Sequence, residues 1–269
     1  MPQARPAVLV IAGSDSSGGA GLARDVRSLE AMGADALCAL TAVTAQTDAR
    51  VLAVHRVPAA HVRAQIEAAF ATRRIGAVKI GMLVDGATLE AVADALGNAP
   101  AVPVVLDPVL RASSGGVLLE DERYERLRAR LFPLATLLTP NLPEAAELAG
   151  ARPEPNPAPA RIIDWARRLL GQGVRAVLVK GGHASGAQAA DVLVQLDREP
   201  LWLSAARLAA TRRGTGCALA SAIAAGLAAG EDLAVACRRG QAHVRALLAE
   251  TEVEDGIAAQ QTARWPEKT

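Results

Sequence analysis

Short runs of Val, Ile and Leu alternate along this chain with longer segments that have the apolar spacing of helices. The pattern predicts strands at residues 8–12, 36–41, 77–80, 102–107, 137–139 and 176–179. Continuous apolar strands separated by helices are typical of a parallel sheet that is covered by helices on both faces. We therefore predict an α/β fold with a mostly parallel central sheet, as a single domain over residues 1–269.

The remaining segments complete this prediction. Helices are predicted at residues 21–32, 59–73, 88–96, 121–131, 143–149, 160–171, 217–229 and 233–248. Residues 192–195 and 201–204 are expected to pair as an antiparallel hairpin. The proline-rich residues 152–159 are interpreted as a surface loop, because the strand and helix patterns continue on both sides. Residues 250–269 are polar and are predicted to form a loosely packed tail.

Charge, hydropathy and cysteine content exclude several classes of protein. The chain has 29 Lys and Arg against 28 Asp and Glu, so we expect neither a nucleic acid nor a membrane surface as partner. Its apolar stretches are shorter than the about 20 residues that cross a bilayer, and the N-terminal run is interpreted as a strand and not as a signal peptide. Cys38, Cys217 and Cys237 lack paired spacing, which favours a reducing cytoplasm over disulfides or structural zinc. Cys38 and Cys237 are interpreted as core residues.

Residues suited to chemistry follow the predicted strands directly. GSDSSGGAG (residues 13–21) follows the first strand, DPVLRASSGG (107–116) the fourth, TPNLPE (139–144) the fifth and KGGH (180–183) the sixth. Ligands of open parallel sheets bind at the carboxyl ends of the strands, so we expect these segments to form one site. Within the last segment, His183 is interpreted as a loop residue and not as a catalyst.

The first glycine loop matches neither common nucleotide-binding fingerprint. Gly13 and Gly18 have the spacing of a P-loop, but Gly19 stands where the phosphate-binding Lys would be. Gly19 and Gly21 begin a dinucleotide fingerprint, but Arg24 replaces its third small residue. Two interpretations stay open, a tight strand-to-helix turn and a backbone surface against which a ligand lies.

The segment RRGTGC (residues 212–217) leads into an alanine-rich helix and is the sharpest single feature. Free N–H groups at the start of a helix favour an anion, so the backbone of residues 214–217 could bind a phosphoryl group during transfer. The same field is predicted to lower the thiol pKa of Cys217. A small buried apolar residue is the alternative interpretation of this cysteine.

Oxygen-bearing side chains at two strand ends suggest magnesium. Asn141 and Glu144 follow one strand and Asp107 ends another, and Mg²⁺ takes oxygen ligands beside substrate phosphates. The alternative for Asn141 and Glu144 is a cap on the next helix. Lys180 could neutralise phosphate oxygens, or it could be an ordinary solvated lysine.

Seven ordered segments together resemble the hydroxymethylpyrimidine/phosphomethylpyrimidine kinases of thiamine biosynthesis, within the ribokinase-like superfamily. They are AGSDSSGGAG (12–21), TAVTAQT (41–47), VKIGML (78–83), VLDPV (105–109), TPNLPEA (139–145), VKGGH (179–183) and GTGC (214–217). The resemblance implies a ribokinase-like fold and phosphorylation of the hydroxymethyl group of a pyrimidine, with ATP and Mg²⁺. It also implies that the monophosphate is commonly phosphorylated again.

The resemblance assigns roles to individual residues. The catalytic loop comprises Gly214, Thr215, Gly216 and Cys217, with Cys217 at the catalytic position. The pyrimidine side comprises Gly13, Ala20, Asp25, Thr44 and Gln46. The nucleotide side comprises Lys180, Asn141 and Arg213, and the metal ligands are Asp107 and Glu144.

Chemistry supports the assignment of Gln46, because a side-chain amide offers a donor and an acceptor to an amino group beside a ring nitrogen. The chain departs from the family's pattern near the same pocket. Ala23 and Thr47 replace a usual Gln and Asn, and Arg213 and Ala218 replace a usual His and Thr. These departures leave the residues for phosphoryl transfer in place and bear on the choice of alcohol.

Three other functions are alternatives to this one. A pyridoxine or pyridoxal kinase is the alternative enzyme, because such relatives phosphorylate a similar group on a pyridine ring. A non-catalytic pyrimidine-binding module would not need Cys217 or the GTGC loop, and a dinucleotide-binding oxidoreductase lacks its fingerprint. The sequence leaves the oligomeric state open, with a homodimer as one candidate.

Overall fold

The computed structural model describes residues 4–110, 121–182 and 187–263, and only the backbone at 121–123 and 252–263. The strands are β1 (Ala7–Asp15), β2 (Asp35–Gln46), β3 (Val51–Arg56), β4 (Ala77–Ile80), β5 (Val104–Leu106), β6 (Leu137–Leu138), β7 (Ala176–Val179), β8 (Gln188–Gln195) and β9 (Leu201–Ala206). The α-helices are α1 (Gly21–Ala31), α2 (Ala59–Thr72), α3 (Gly86–Gly97), α4 (Asp121–Arg130), α5 (Leu142–Leu148), α6 (Pro159–Leu170), α7 (Thr215–Ala228) and α8 (Leu233–Ala263).

The nine strands form one sheet in the order β3-β2-β1-β4-β5-β6-β7-β8-β9. The central part of the sheet is parallel: each pair of adjacent strands in the row β2-β1-β4-β5-β6-β7 runs in the same direction. The flanking strands β3, β8 and β9 pair antiparallel. The predicted α/β fold, its mostly parallel sheet and the late hairpin are therefore confirmed.

Helices cover both faces of the sheet, which explains why the strands are continuously apolar. Along β1, Leu9 and Ile11 pack in a core with residues of α2 to α6. Val8 and Val10 point the other way and pack in a second core with α1, α7 and α8. All four side chains are fully buried.

Several sequence predictions differ from the structure. Strand β3 was not predicted, because nearly all of its residues are exposed and it lacks the buried pattern of the other strands. The interpretation of Cys38 as a core residue is wrong, since it is exposed on β2, whereas Cys237 is buried as expected. All three cysteines are free.

The C-terminal part is more helical than expected. Helix α8 continues to Ala263, whereas the predicted helix ended at residue 248, and residues 264–269 lie outside the described part.

The proline-rich residues 152–159 form an exposed connection into α6, and strands before and after it belong to the same sheet. Within the described residues, no helix is long and apolar enough to cross a bilayer.

The parallel strands bring their carboxyl ends to one edge of the sheet. At this edge β1 leads into α1, and β6 leads through residues 139–141 into α5. Lys180 directly follows β7 and pairs with Asn141 as an isolated bridge. The segments that the sequence singled out therefore meet where ligands of such sheets bind.

Candidate active site

The Asp15 carboxylate at the end of β1 organises the first glycine loop. It accepts hydrogen bonds from the backbone N–H of Ser17 at 2.9 Å and of Ala20 at 2.9 Å, and from the Ser17 hydroxyl at 2.8 Å. Its side chain is 3% exposed. Asp15 is a site residue that was not predicted from the sequence, although a carboxylate two residues before a loop N–H is the usual signal of an Asx turn.

One glycine lets the two loops of the site touch, and a second lets the first loop fold closely on itself. An ideal Cβ at Gly214 would lie 2.3 Å from the carbonyl oxygen of Gly19, and one at Gly21 would lie 2.4 Å from that of Gly13. Both glycines have positive φ angles, +75° and +55°. No other residue fits at these two positions, and at Gly214 the start of α7 lies directly against the backbone of residues 19 and 20, just before α1.

Cys217 lies in the first turn of α7, where its thiol receives a hydrogen bond from the backbone N–H of Gly21. Burial raises the pKa of this thiol to about 11; the Lys79 ammonium opposes the shift, and the Asp25 and Asp107 carboxylates add to it. The prediction that the helix start lowers this pKa is therefore wrong. The helix field is outweighed by desolvation and by two nearby carboxylates.

A buried ion pair lies one helical turn below this contact. The Lys79 ammonium on β4 and the Asp25 carboxylate on α1 are 2.9 Å apart and both fully buried. The Ser221 hydroxyl on α7 donates to the other Asp25 oxygen at 2.8 Å. Burial acts to lower the pKa of Lys79, but Asp25, Cys217 and Asp107 outweigh it and raise that pKa.

Lys79 was not predicted as a site residue, although it lies inside VKIGML (78–83), one of the segments that carry the resemblance. Its signal was a single lysine in a strand whose four residues are all buried. Asp25 was predicted to contact the pyrimidine, and the structure places both of its carboxylate oxygens in this internal network. Its contact with a substrate stays a prediction.

A second, less deeply buried ion pair lies at the ends of β5 and β7. The Lys180 ammonium is 2.9 Å from Asp107 Oδ1, which also accepts a bond from the Thr139 hydroxyl at 3.3 Å. An ideal Cβ at Gly216 would lie 3.1 Å from Lys180 Nζ and 3.7 Å from Asp107 Oδ2. The predicted catalytic loop, the predicted metal ligand Asp107 and the predicted nucleotide residue Lys180 are thus brought together.

Asn141 and Glu144 form a capping box at the start of α5. The Asn141 side chain accepts from the Glu144 N–H at 2.9 Å, and the Glu144 carboxylate accepts from the Asn141 N–H at 2.8 Å. The helix-cap interpretation is confirmed. Burial raises the pKa of Glu144 to about 7; the Lys180 ammonium opposes this shift and the Asp107 carboxylate adds to it.

On the other side of the glycine loop lie the residues predicted to surround the pyrimidine. The backbone of Gln46 is joined to the Ser16 hydroxyl, which donates to its carbonyl and accepts from its N–H. The Thr44 hydroxyl lies 2.8 Å from the Ser14 carbonyl oxygen and 3.3 Å from Gln46 Oε1. A Cβ at Gly13 would collide with Met82 Cε at 2.2 Å, which makes Met82 a further neighbour of this side.

Arg213 lies on this same side and not beside Lys180. Its guanidinium contacts Asp15 and Ser17 of the glycine loop and Thr47 and Asp48 after β2.

Parts of two predicted segments, residues 111–116 and His183, lie outside the described part. In the described part, no group of three or more His, Cys, Asp and Glu could by itself hold a metal.

The comparisons with known proteins agree with one another. Residues 15–261 match the model of a family described as phosphomethylpyrimidine kinase. A hydroxymethylpyrimidine/phosphomethylpyrimidine kinase of Streptomyces coelicolor is 41% identical over 244 residues, which cover 90% of this chain and 88% of the relative.

Solved structures with this fold include two kinds of vitamin kinase. A phosphomethylpyrimidine kinase of Clostridium difficile superposes with a TM-score of 0.77 at 34% identity, covering 90% of this chain and 99% of that chain. A pyridoxal kinase of Staphylococcus aureus in complex with pyridoxal superposes with a TM-score of 0.83 at 27% identity, covering 91% of this chain and 88% of that one.

The buried pair predicts a specific pattern of stability. Lys79→Met should lower the free energy of unfolding by about 3–5 kcal/mol, because it leaves the Asp25 carboxylate buried and unpaired. Adding Asp25→Leu should recover part of that loss, and Arg63→Ala, which breaks an exposed pair, should change little. Denaturant midpoints measure all three variants. A double variant that is no more stable than Lys79→Met would contradict the conclusion that the unpaired Asp25 carboxylate causes the loss of stability.

Proposed function

The chain belongs to the phosphomethylpyrimidine kinase family and is a phosphotransferase, and from that premise we propose that it phosphorylates 4-amino-5-hydroxymethyl-2-methylpyrimidine with ATP. We also propose that the monophosphate is phosphorylated again, since the relative's name pairs the two activities. The product would enter thiamine biosynthesis. The observation that carries the proposal is the contact between the two glycine loops beside Cys217, Asp107 and Lys180.

The proposed reaction needs a proton acceptor for the alcohol and a positive environment for the phosphoryl group. The Cys217 thiol first loses its proton to solvent. The substrate hydroxyl then gives its proton to this thiolate as its oxygen bonds to the γ-phosphorus of ATP, and the bond from that phosphorus to the bridging oxygen breaks to release ADP. The N–H groups at the start of α7 are suited to the phosphoryl oxygens, because they have no partner within the helix. Lys180, close to Gly216, adds positive charge.

The residues present fit a magnesium ion that arrives with the nucleotide. Asp107 and Glu144 both interact electrostatically with Lys180, and one or two carboxylates beside substrate phosphates are the usual protein contribution to a Mg²⁺ site. We propose that Asp107 and Glu144 hold the ion and that Asn141 and Lys180 lie on the nucleotide side. When bound, Mg²⁺ would neutralise charge on the phosphate oxygens.

Pyridoxal kinase is the second candidate, because the backbone superposes on a pyridoxal kinase as well as on a phosphomethylpyrimidine kinase. One experiment separates the two. Release of ADP is measured with Mg²⁺ and ATP against the pyrimidine alcohol, its monophosphate, pyridoxine and ribose. We expect turnover of the first two, whereas turnover confined to pyridoxine would select the second candidate and turnover confined to ribose would refute both.

We further propose a cytoplasmic location and a homodimer. Three free cysteines suit a reducing compartment.

The edge strand β3 is the proposed dimer contact. It carries the exposed apolar residues Leu52 and Val54, and its unpaired backbone groups could join the same strand of a second copy around a two-fold axis. The mass in solution, measured by light scattering, tests the dimer.

Cys217 should control the dependence of kcat on pH. Its thiol must lose a proton to act as a base, so with a pKa of about 11 the wild-type kcat should rise from pH 7 to 10. Cys217→Ala should lower kcat by about 10²- to 10⁴-fold and abolish this rise. Cys217→Asp should keep more activity than Cys217→Ala, with a flat profile, because a carboxylate is already ionised at these pH values. The same rise in Cys217→Ala, or a competent phosphocysteine, would contradict the role.

Glu144→Gln should raise the Mg²⁺ concentration that gives half-maximal kcat, because it removes a carboxylate while an amide oxygen can still accept from the Asn141 N–H. The control is Asp85→Ala, which removes the side-chain cap of α3, at a cost of about 1 kcal/mol, and should leave the Mg²⁺ dependence unchanged. Titrations of kcat against Mg²⁺ and thermal melting compare the two. A Glu144→Gln enzyme that is only less stable would assign this residue to capping alone.

Gln46→Leu should weaken kcat/KM for the pyrimidine by about 5- to 150-fold, because a polar edge of the ring loses its partner at a cost of about 1–3 kcal/mol. The KM for ATP should stay the same, since Gln46 lies on the other side of the glycine loop from Lys180. Pyridoxine presents a different polar edge and should lose less. Equal losses for both alcohols would show that Gln46 supports the pocket without selecting the ring.

A further inference from the structure

The side chain of Arg213 joins three separate segments around the site. Nη2 donates to Asp15 Oδ2 at 3.1 Å, and Nη1 donates to the Ser17 hydroxyl at 2.8 Å. The same Nη1 lies 3.1 Å from the Thr47 carbonyl oxygen and 3.1 Å from Asp48 Oδ1. Since Arg213 directly precedes Gly214, its guanidinium connects the start of α7 with the glycine loop and with the turn after β2.

These partners belong to the side of the site where the alcohol is proposed to bind. Ser17 and Asp15 shape the loop that includes Ala20, and Thr47 is the residue after Gln46. Lys180, on the proposed nucleotide side, is bonded instead to Asp107. The contacts of Arg213 therefore all lie around the proposed alcohol pocket.

We propose that Arg213 is a positioning residue for the alcohol substrate, which locks the pocket loops against the helix that carries Cys217. The proposal rests on the proposed function for the identity of the alcohol. It reassigns Arg213 from the nucleotide side, where the sequence resemblance had placed it. Three of its four partners lie in loops, so loss of the side chain should allow these loops to move relative to Gly214.

Charge explains why an arginine suits this place. The Asp15 carboxylate is nearly buried and lies next to loops that we assign to a phosphoryl site, where an unpaired negative charge would repel the substrate phosphates. Arg213 neutralises this carboxylate with a charge-assisted bond. Its planar fork also reaches a hydroxyl and a carbonyl at the same time, which the single ammonium of a lysine does not reproduce.

The neighbouring Arg212 supplies a matched control. Its side chain points to α8, where Nη1 donates to the Leu247 carbonyl at 3.1 Å and to the Thr251 hydroxyl at 3.2 Å. Arg212→Met thus removes an arginine at the next position and its hydrogen bonds without touching the pocket loops. It controls for a general loss of charge and stability.

The test compares Arg213→Met, Arg213→Lys and Arg212→Met by steady-state kinetics. For Arg213→Met we expect the KM of the alcohol to rise about tenfold and kcat to fall, with the KM of ATP within twofold of wild type. Arg213→Lys should fall between, because it keeps the charge beside Asp15. Arg212→Met should leave both KM values unchanged. Equal rises in both KM values, a rise for ATP alone, or no change would overturn the proposal.

Hydrogen exchange measured by mass spectrometry gives a second readout that needs no substrate. Arg213→Met should speed amide exchange at residues 16–20 and 47–50, and Arg212→Met should not. Unchanged exchange at both loops would refute the locking role. If the wild-type enzyme phosphorylates a different alcohol in the substrate screen, the proposed substrate fails, and the kinetic test of Arg213 is made with the alcohol that turns over.

Discussion

The buried pair of Lys79 and Asp25 fixes the parts of the molecule that build the site. Lys79 belongs to a central strand, Asp25 to α1, and Ser221, which completes the network, to α7. A buried charge without a partner is strongly destabilising, so these three elements can pack only with their polar groups in register. A side chain at residue 81 would crowd this pair, because a Cβ at Gly81 would lie 2.8 Å from the Lys79 ammonium.

This register places the helix starts one turn further along. Asp25 follows Gly21 by four residues and Ser221 follows Cys217 by four, and residues four apart lie on the same face of a helix. The contact of Gly21 with Cys217 is therefore stacked on the contact of Asp25 with Ser221. Once the deeper contact forms, the geometry of the upper one is largely determined.

The sequence predicted those features that depend on local pattern. Strands β4 and β7 lie at the predicted residues, because each is a run of four buried side chains that are all apolar except for Lys79. The cap at Asn141 also has a local signal, the N-x-x-E spacing. The thiol pKa of Cys217 could not be predicted, because it depends on burial and on carboxylates from α1 and β5 that only the fold brings near. The partners of Arg213 lie more than 160 residues away in sequence, so nothing local indicated which side of the site it serves.

The distribution of charge explains why a neutral thiol suits the centre of this site. Each of three cations near the glycine loops has a carboxylate partner: Lys79 has Asp25, Lys180 has Asp107 and Arg213 has Asp15. A permanent thiolate at Cys217 would be desolvated and would lie beside two of those carboxylates, a cost that the nearby Lys79 ammonium offsets only in part. In the proposed mechanism the sulfur therefore carries its proton at rest, and only the fraction of enzyme in which the thiol has lost that proton to solvent can accept the proton of the alcohol. Burial first, and the Asp25 and Asp107 carboxylates after it, therefore keep the pKa of this thiol high in spite of its place at the start of a helix.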